Sequence, residues 1–508
     1  MDMGNEKRTE GVTPAERHLG RLCARSFLRL WSYSGVCRNQ NTGHGNPQGK
    51  EVCDLLVVFG KHLIIFSDKD CAFSEGRSPE LAWSRWAKKT IFASARQIYG
   101  AERWITCNSE RLYTDLSCST KLPIRLPPKA EMSIHRIIVA HGAGASCAEH
   151  FQGSRGSLMI DNTIEGERDH YAHPYRVGHV DRKKGFVHIL DDVTLDIVLK
   201  TLDTISDFVA YLEKKEAFLS SSLHITAAGE EELLGHYLKD MNHLNQHDFL
   251  VPPDVTSATY TEGQWDAFEK SPQRKAQIIA NRPSYTWDEL IEKFVSHSMA
   301  GTHRTTTQQT IADQEILYHW LAREPRTRRR MLSNSLLGLI FKTPAGFRAM
   351  RLIEPSYVGD PFYIFLVVPF YEGVPEADYR AFRERLLGYY CHVLKLKYPR
   401  ALDVVGIATE AGSSPKYRSE DLIYMDLSVW NTDLENEARA LQREFGLMTN
   451  TARFEKTENE YPDFRRGING PLGPIIISRN KRCPCQSGKR YGKCHGKAFY
   501  EAKRGGKD

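Results

Sequence analysis

The stretch VCDLLVVFGKHLIIFSDK, residues 52–69, decides how the N-terminal part of this chain folds. Two runs of apolar strand-formers, Val52–Phe59 and His62–Phe66, flank Gly60-Lys61, which predicts a tight β-hairpin. With the turn at Gly60-Lys61, Asp54 stands opposite Ser67. Alternation then puts Asp54, Leu56, Val58, Leu63, Ile65, Ser67 and Lys69 on one face, and Asp68 on the other. An aspartate and a lysine at neighbouring strand ends among apolar residues are costly unless they have partners or a task.

Working outward, Leu19, Leu22, Cys23, Ser26, Phe27 and Leu30 recur at three-and-four spacing, so Pro14–Leu30 reads as an amphipathic helix. Thr13 offers an N-cap, Pro14 suits the first turn, and Glu16 lies near the positive helix end. Asn39–Lys50 reads as a loop. Beyond the hairpin a helix is expected from Pro79 to about Tyr99, a strand at Ser133–Ala140 and one long helix at Thr194–Phe218. Residues 223–335 read as mostly helical, broken at Pro252-Pro253 and Pro283. Strands at Tyr363–Val368, Asp403–Thr409 and Leu422–Leu427, with helices at Pro375–Leu396 and Leu434–Phe445, form a small mixed α/β block.

A chain of 508 residues has room for about three domains. No run of 18 or more apolar residues occurs, so no transmembrane helix and no membrane partner is expected. The charged start, Met1 to Glu10, lacks the apolar core of a secretion signal. Of the 11 cysteines, eight are scattered singly, which fits a reduced, cytoplasmic chain. Net charge is +6, but from Arg453 onward 14 Lys or Arg face 6 Asp or Glu, so the basic excess is in the tail. Such a tail suits a nucleic acid or an acidic protein face, unless it is merely solvated.

That tail contains CPCQSGKRYGKCHG, residues 483–496. Cys483 and Cys485 offer two thiolates from one turn. After eight intervening residues, Cys494 and His495 complete a four-ligand set for structural Zn²⁺, with no position left for a catalytic water. Lys489, Arg490 and Lys493 are expected to stay solvated. The segment resembles the SEC-C motif at the end of the SecA translocation ATPase, where the module contacts a chaperone and the ribosome. No phosphate-binding Gly-x-x-x-x-Gly-Lys-Ser/Thr loop accompanies it.

The chemistry that uses an aspartate beside a lysine is metal-dependent phosphodiester hydrolysis: the carboxylate holds Mg²⁺ or Mn²⁺, and the ammonium orients the attacking water or stabilises phosphate charge. Here the sequence resembles the PD-(D/E)xK nuclease superfamily, in the style of its Mrr-like, NERD and RecB-like members, over residues 14–140. The resemblance implies a core of helix, three strands, helix and strand. It matches the family's helix glutamate to Glu16, its strand aspartate to Asp54, its lysine to Lys69 and its helix glutamine to Gln97. The family's second acid falls on Ser67. A bulge at the neighbouring Asp68 could supply it, or Glu16 or Glu51 from elsewhere in space.

Other signals are weaker. His141, His150, His170, His173, His179 and His188 show no ligand spacing and read as satisfied or surface histidines. Residues 142–144 read as a turn. Glu410, Glu420, Asp421 and Asp426 surround strands and are a weak metal candidate. The run Arg323–Arg330 either meets a phosphate backbone or is a solvated helix end.

The fold class expected is thus α/β, of mixed α+β character and multidomain. Residues 1–13 are read as disordered, 14–220 as a restriction-endonuclease-like domain with an αβββαβ core and 221–335 as a helical region. Residues 336–448 form the small α/β domain, 449–479 a linker, and 480–508 the zinc knuckle with its basic tail. The function expected is metal-dependent endonuclease cleavage of DNA or RNA, in defence against foreign nucleic acid or in repair. The alternative is a non-enzymatic adaptor with an inactive nuclease-like fold, whose knuckle docks a protein or ribosome.

Overall fold

A computed structural model describes residues 11–41, 48–74, 78–299, 311–370, 373–412, 419–449, 451–453, 458–462, 489–490 and 493. They form a mixed α/β protein with three sheets, divided into two compact units. The first comprises the described parts of 1–275 and 292–313, the second those of 276–291 and 314–508.

The first unit opens with α1, Pro14–Phe27, whose start is a complete capping box. Thr13 Oγ1 accepts from the Glu16 amide at 3.1 Å, and the Glu16 carboxylate accepts from the Thr13 amide at 3.2 Å. Strand β1, Ser32–Asn39, then pairs antiparallel with β2, Gly49–Phe59, and β2 with β3, His62–Asp70. The hairpin has the expected register, with Leu55 opposite Phe66 and Phe59 opposite His62 around a two-residue turn. Gly60 adopts φ +55°, where a side chain would be strained. Val57, Leu63, Ile64, Ile65 and Phe66 are essentially inaccessible, so the hairpin is covered on both faces.

A helical run follows: α2, Pro79–Ala87, continues through a π-helical turn into α3, Ala93–Cys107, which packs against β2, β3 and the later β5. After the short β4, Leu112–Tyr113, strand β5, Ser133–His141, joins β3 in parallel. The chain goes on through α4 (Gly144–His150), β6 (Met159–Glu165), α5 (Gly166–Ala172), β7 (Arg176–His179) and β8 (Val187–Asp191). The central sheet has strand order β4-β1-β2-β3-β5-β8.

The long helix expected at 194–218 is two helices, α6 (Thr194–Thr201) and α7 (Ile205–Leu219). The break is built: Thr204 Oγ1 caps α7 by accepting from the Asp207 amide at 3.1 Å. Residues 223–260 are not purely helical either. Strands β9, His224–Ala227, and β10, Ser257–Tyr260, flank α8, Glu230–Lys239, and complete a second sheet of order β10-β9-β6-β7. Helices α9 (Gln264–Lys270), α10 (Pro272–Ala280), α11 (Tyr285–Met299), α12 (Ile311–Arg323) and α13 (Arg326–Lys342) come next.

The sheet of the second unit has order β11-β12-β13-β14, from strands Ala349–Ile353, Phe362–Val367, Asp403–Thr409 and Glu420–Asp426. Helix α14, Glu376–Lys397, buries Leu386, Leu387, Cys391 and Leu394 in a core with Ile364, Leu366, Val404 and Ala408, and α15, Thr432–Phe445, packs against α14. Among the described residues no helix is long and apolar enough to cross a membrane.

Candidate active site at the end of the hairpin

Extending the β2–β3 register by one step puts Asp54 beside Ser67. Asp54 is mostly buried, and its Oδ2 accepts from the Asp68 amide at 2.6 Å. Burial pushes its carboxyl up to about 6, with the charges of Glu16 and Asp68 adding to the rise against that hydrogen bond. Glu51, three residues earlier on β2, is pushed to about 7 by burial and by the charges of Asp54 and Glu16. Glu16 of α1, Glu51 and Asp54 of β2 and Asp68 of β3 therefore form one electrostatically coupled acidic group. No lysine, arginine or histidine among the described residues forms an ion pair with Asp54.

Lys69 lies on the Asp54 face and is exposed, and no carboxylate among the described residues lies within ion-pair distance of its ammonium. Asp54 and Lys69 are thus not a structural ion pair. Gln97 is exposed on α3, the helix that packs over β2 and β3.

Strand β3 pairs with β5 without a register shift from His62–Ser133 to Asp70–His141, so no bulge turns Asp68 toward Lys69. The irregularity in this sheet is in β2, where Val36 of β1 faces Cys53 and Cys37 faces Glu51, leaving Val52 as the extra residue between Glu51 and Asp54. Asp68 keeps its place on the other face, where its Oδ1 lies 3.0 Å from His141 Nε2. His141 Nδ1 in turn meets Asp192 Oδ1 at 2.7 Å. Burial opposes charge on this ring, but hydrogen bonds to Asp192 and Asp68 hold it up to about 10. The second oxygen of Asp68, Oδ2, is buried with no hydrogen-bond partner among the described residues. His141 fits the reading of a satisfied histidine; its role beside Asp68 had no signal in spacing, because it comes from the parallel pairing of β3 with β5.

The acids of the second unit are arranged differently. Arg383 is fully buried and binds Glu410 at 2.5 Å and Asp421 at 2.5 Å. Asp426 sits at the far end of β14 and accepts from the Ser428 amide. Glu410 and Asp421 converge on Arg383, and among the described residues Glu410, Glu420, Asp421 and Asp426 form no group placed to hold a metal. The basic run at 323–330 also turns inward. Arg326 and Arg329 are buried on Asp288 at 2.8 and 2.7 Å, and Arg330 on Glu458 at 3.1 Å. Those three arginines hold the fold of their unit and offer no surface for a phosphate backbone.

Cys483, Cys485, Cys494 and His495 lie outside the described residues. Nearby Lys489, Arg490 and Lys493 are exposed, as a solvated basic rim requires. The SEC-C motif model matches residues 479–497, so the tail is similar to a motif compatible with zinc binding. No curated protein and no solved structure matches the chain.

Proposed function

We propose that the protein is a metal-dependent nuclease, with its active site at the Asp54–Lys69 end of the hairpin. The observation that carries this reading is a group of three carboxylates, Glu16, Glu51 and Asp54, with no ion-pair partner among the described residues, beside Lys69, which has none there either, while Asp68 is taken by His141. A buried acid raised in this way gains most from a divalent ion. With the two-residue β4 as an addition between α3 and β5, the order α1, β1, β2, β3, α2–α3 and β5 supports the same reading, being helix, three strands, helix and strand.

Asp54 would hold Mg²⁺ or Mn²⁺ together with Glu51 or Glu16, since Ser67 supplies only a hydroxyl. Such an ion acidifies a water and offsets charge on the scissile phosphate. Lys69 keeps its ammonium in solvent range, free to orient the water or stabilise the phosphoryl oxygens. Gln97 on α3 would orient the same water or the phosphate. The His141 cation between Asp68 and Asp192 ties the end of β3 to the segment after β8. The tail would be a separate module, with Cys483, Cys485, Cys494 and His495 holding one structural zinc.

Incubating the full chain with single- and double-stranded DNA and RNA, with Mg²⁺ or Mn²⁺, tests this beside Asp54→Ala. Cleavage by the parent and none by the variant is expected. Absence of cleavage on every substrate, or equal cleavage by both proteins, contradicts it. The SEC-C match favours the second reading, a non-enzymatic adaptor docking through its tail. Removing residues 480–508 distinguishes them: an adaptor loses its partner, whereas a nuclease keeps its cleavage chemistry.

A further inference from the structure

At the other end of β3 three potential ligands come together that the nuclease reading does not use. His62 opens β3, and His135 lies two residues beyond its paired position, Ser133, on the same face of β5. The His62 Nδ1 and His135 Nε2 atoms are 3.2 Å apart, with the rings stacked at 5.4 Å between centroids. Glu213, from α7, brings Oε1 to 3.8 Å from His62 Nδ1. One donor atom from each residue lies within 4.8 Å of both others.

The spacing suits a metal. Two donors about 2.0–2.1 Å from a tetrahedral zinc are about 3.3 Å apart. Burial, with the nearby charge of Lys61, pushes the His62 ring down to about 4; burial, with His62, Arg136 and Lys61, pushes His135 to about 3. At neutral pH both rings are therefore uncharged ligands, and Glu213 faces no imidazolium. Arg136 does not compete for Glu213, because Glu102 takes its guanidinium in two hydrogen bonds of 2.5 and 2.7 Å. Three further ring nitrogens, His135 Nδ1 and both of His188, are buried without hydrogen-bond partners among the described residues. His188 pairs with Ile137 on β8 and so shares the His135 face. His62 and Glu213 keep side-chain exposures of 18% and 49%, which leaves a path for an ion and a place for water.

We propose that His62, His135 and Glu213 form a binding site for a borderline divalent cation, zinc in the first instance, with a fourth position open to water. Two imidazoles and one carboxylate select such an ion over Mg²⁺. The site is about 20 Å along β3 from Lys69, at the strand rise of about 3.3 Å per residue, so it stands apart from the nuclease reading. It is also separate from the thiolate tail.

The test uses the full chain carrying Cys485→Ser and Cys494→Ser, loaded with Zn²⁺ and, separately, with Co²⁺. One ion per chain is expected, and the Co²⁺ form should show ligand-field absorption without thiolate charge transfer. Adding His62→Ala should abolish binding. Adding Glu213→Gln instead, at a half-exposed position that leaves the core intact, should weaken it at least tenfold and remove the zinc-dependent rise in Tm. No bound ion in the thiolate variant overturns the proposal. So does unchanged affinity after Glu213→Gln.

Discussion

Buried charge is treated in opposite ways around Arg383 and around Asp54. Around Arg383 every charge has a counter-charge: two carboxylates bind one guanidinium, Arg380 adds a contact to Asp421 at 3.1 Å, and Ser419 accepts from Arg383 Nη2 at 3.0 Å. Around Asp54 the balance fails. Burial and neighbouring acidic charge raise both Glu51 and Asp54, the Asp68 amide that donates to Asp54 is neutral, and no ion pair joins Asp54 to Lys69. A balanced cluster completes a fold, whereas an unbalanced one needs something from outside the chain. The acids around β13 and β14 read as a weak metal candidate in the sequence, and in the structure Glu410 and Asp421 are taken by Arg383.

The largest effect should come from breaking the balanced cluster. Arg383→Met leaves Glu410 and Asp421 buried without a counter-ion and should destabilise the second unit by about 3–5 kcal/mol, read by urea unfolding. Replacing all three side chains with apolar residues of similar volume should recover much of that loss. Next comes Lys69→Ala, which should cost about 10² or more in cleavage rate while leaving substrate affinity nearly unchanged, as read by single-turnover kinetics. Its effect on stability should stay within about 0.5 kcal/mol, since no ion pair is lost.

Asp54→Asn sharpens the contrast from the other side. The amide oxygen still accepts from the Asp68 amide, while the repelled charge disappears, so the metal-free variant should be more stable by on the order of 1 kcal/mol at neutral pH. A carboxyl raised in the folded state costs stability as pH climbs from its ordinary value through the raised one. The advantage of Asp54→Asn should therefore be absent near pH 4, grow to about pH 6, and level off above it, as measured by Tm. The smallest change expected is Ser67→Ala, with little loss of cleavage, because a hydroxyl is a poor metal ligand beside carboxylates.

Much of this fold was legible because some elements carry their own signal. The hairpin strands are buried on both faces and read as unbroken apolar runs, and Gly60 marks the turn. Strand β1 was not legible: Ser32, Ser34, Gly35 and Asn39 have little strand preference, and pairing with β2 orders them. The division of α6 from α7 was hidden because Leu202 and Ile205 continue an apolar periodicity that the Thr204 cap interrupts. Among candidate site residues, Asp54 and Lys69 could be found because one hairpin register relates them. His62 and Glu213 are joined only through packing of α7, across 151 positions of chain from number 62 to 213, and no local spacing records that. Arg326, Arg329 and Arg330 show the converse, residues of a run read as either a phosphate contact or a solvated helix end that are buried on Asp288 and Glu458.

The unbalanced cluster can be tested without any assumption about substrate. The full chain, first saturated with Zn²⁺ to fill its softer sites, is titrated with Mn²⁺ and the free ion followed by electron paramagnetic resonance, beside Asp54→Asn. The expected result is a Mn²⁺ site in the parent that weakens as pH falls below about 6 and is missing from the variant. Equal Mn²⁺ binding by the two proteins would contradict the claim that the acids at the end of the hairpin hold a cation.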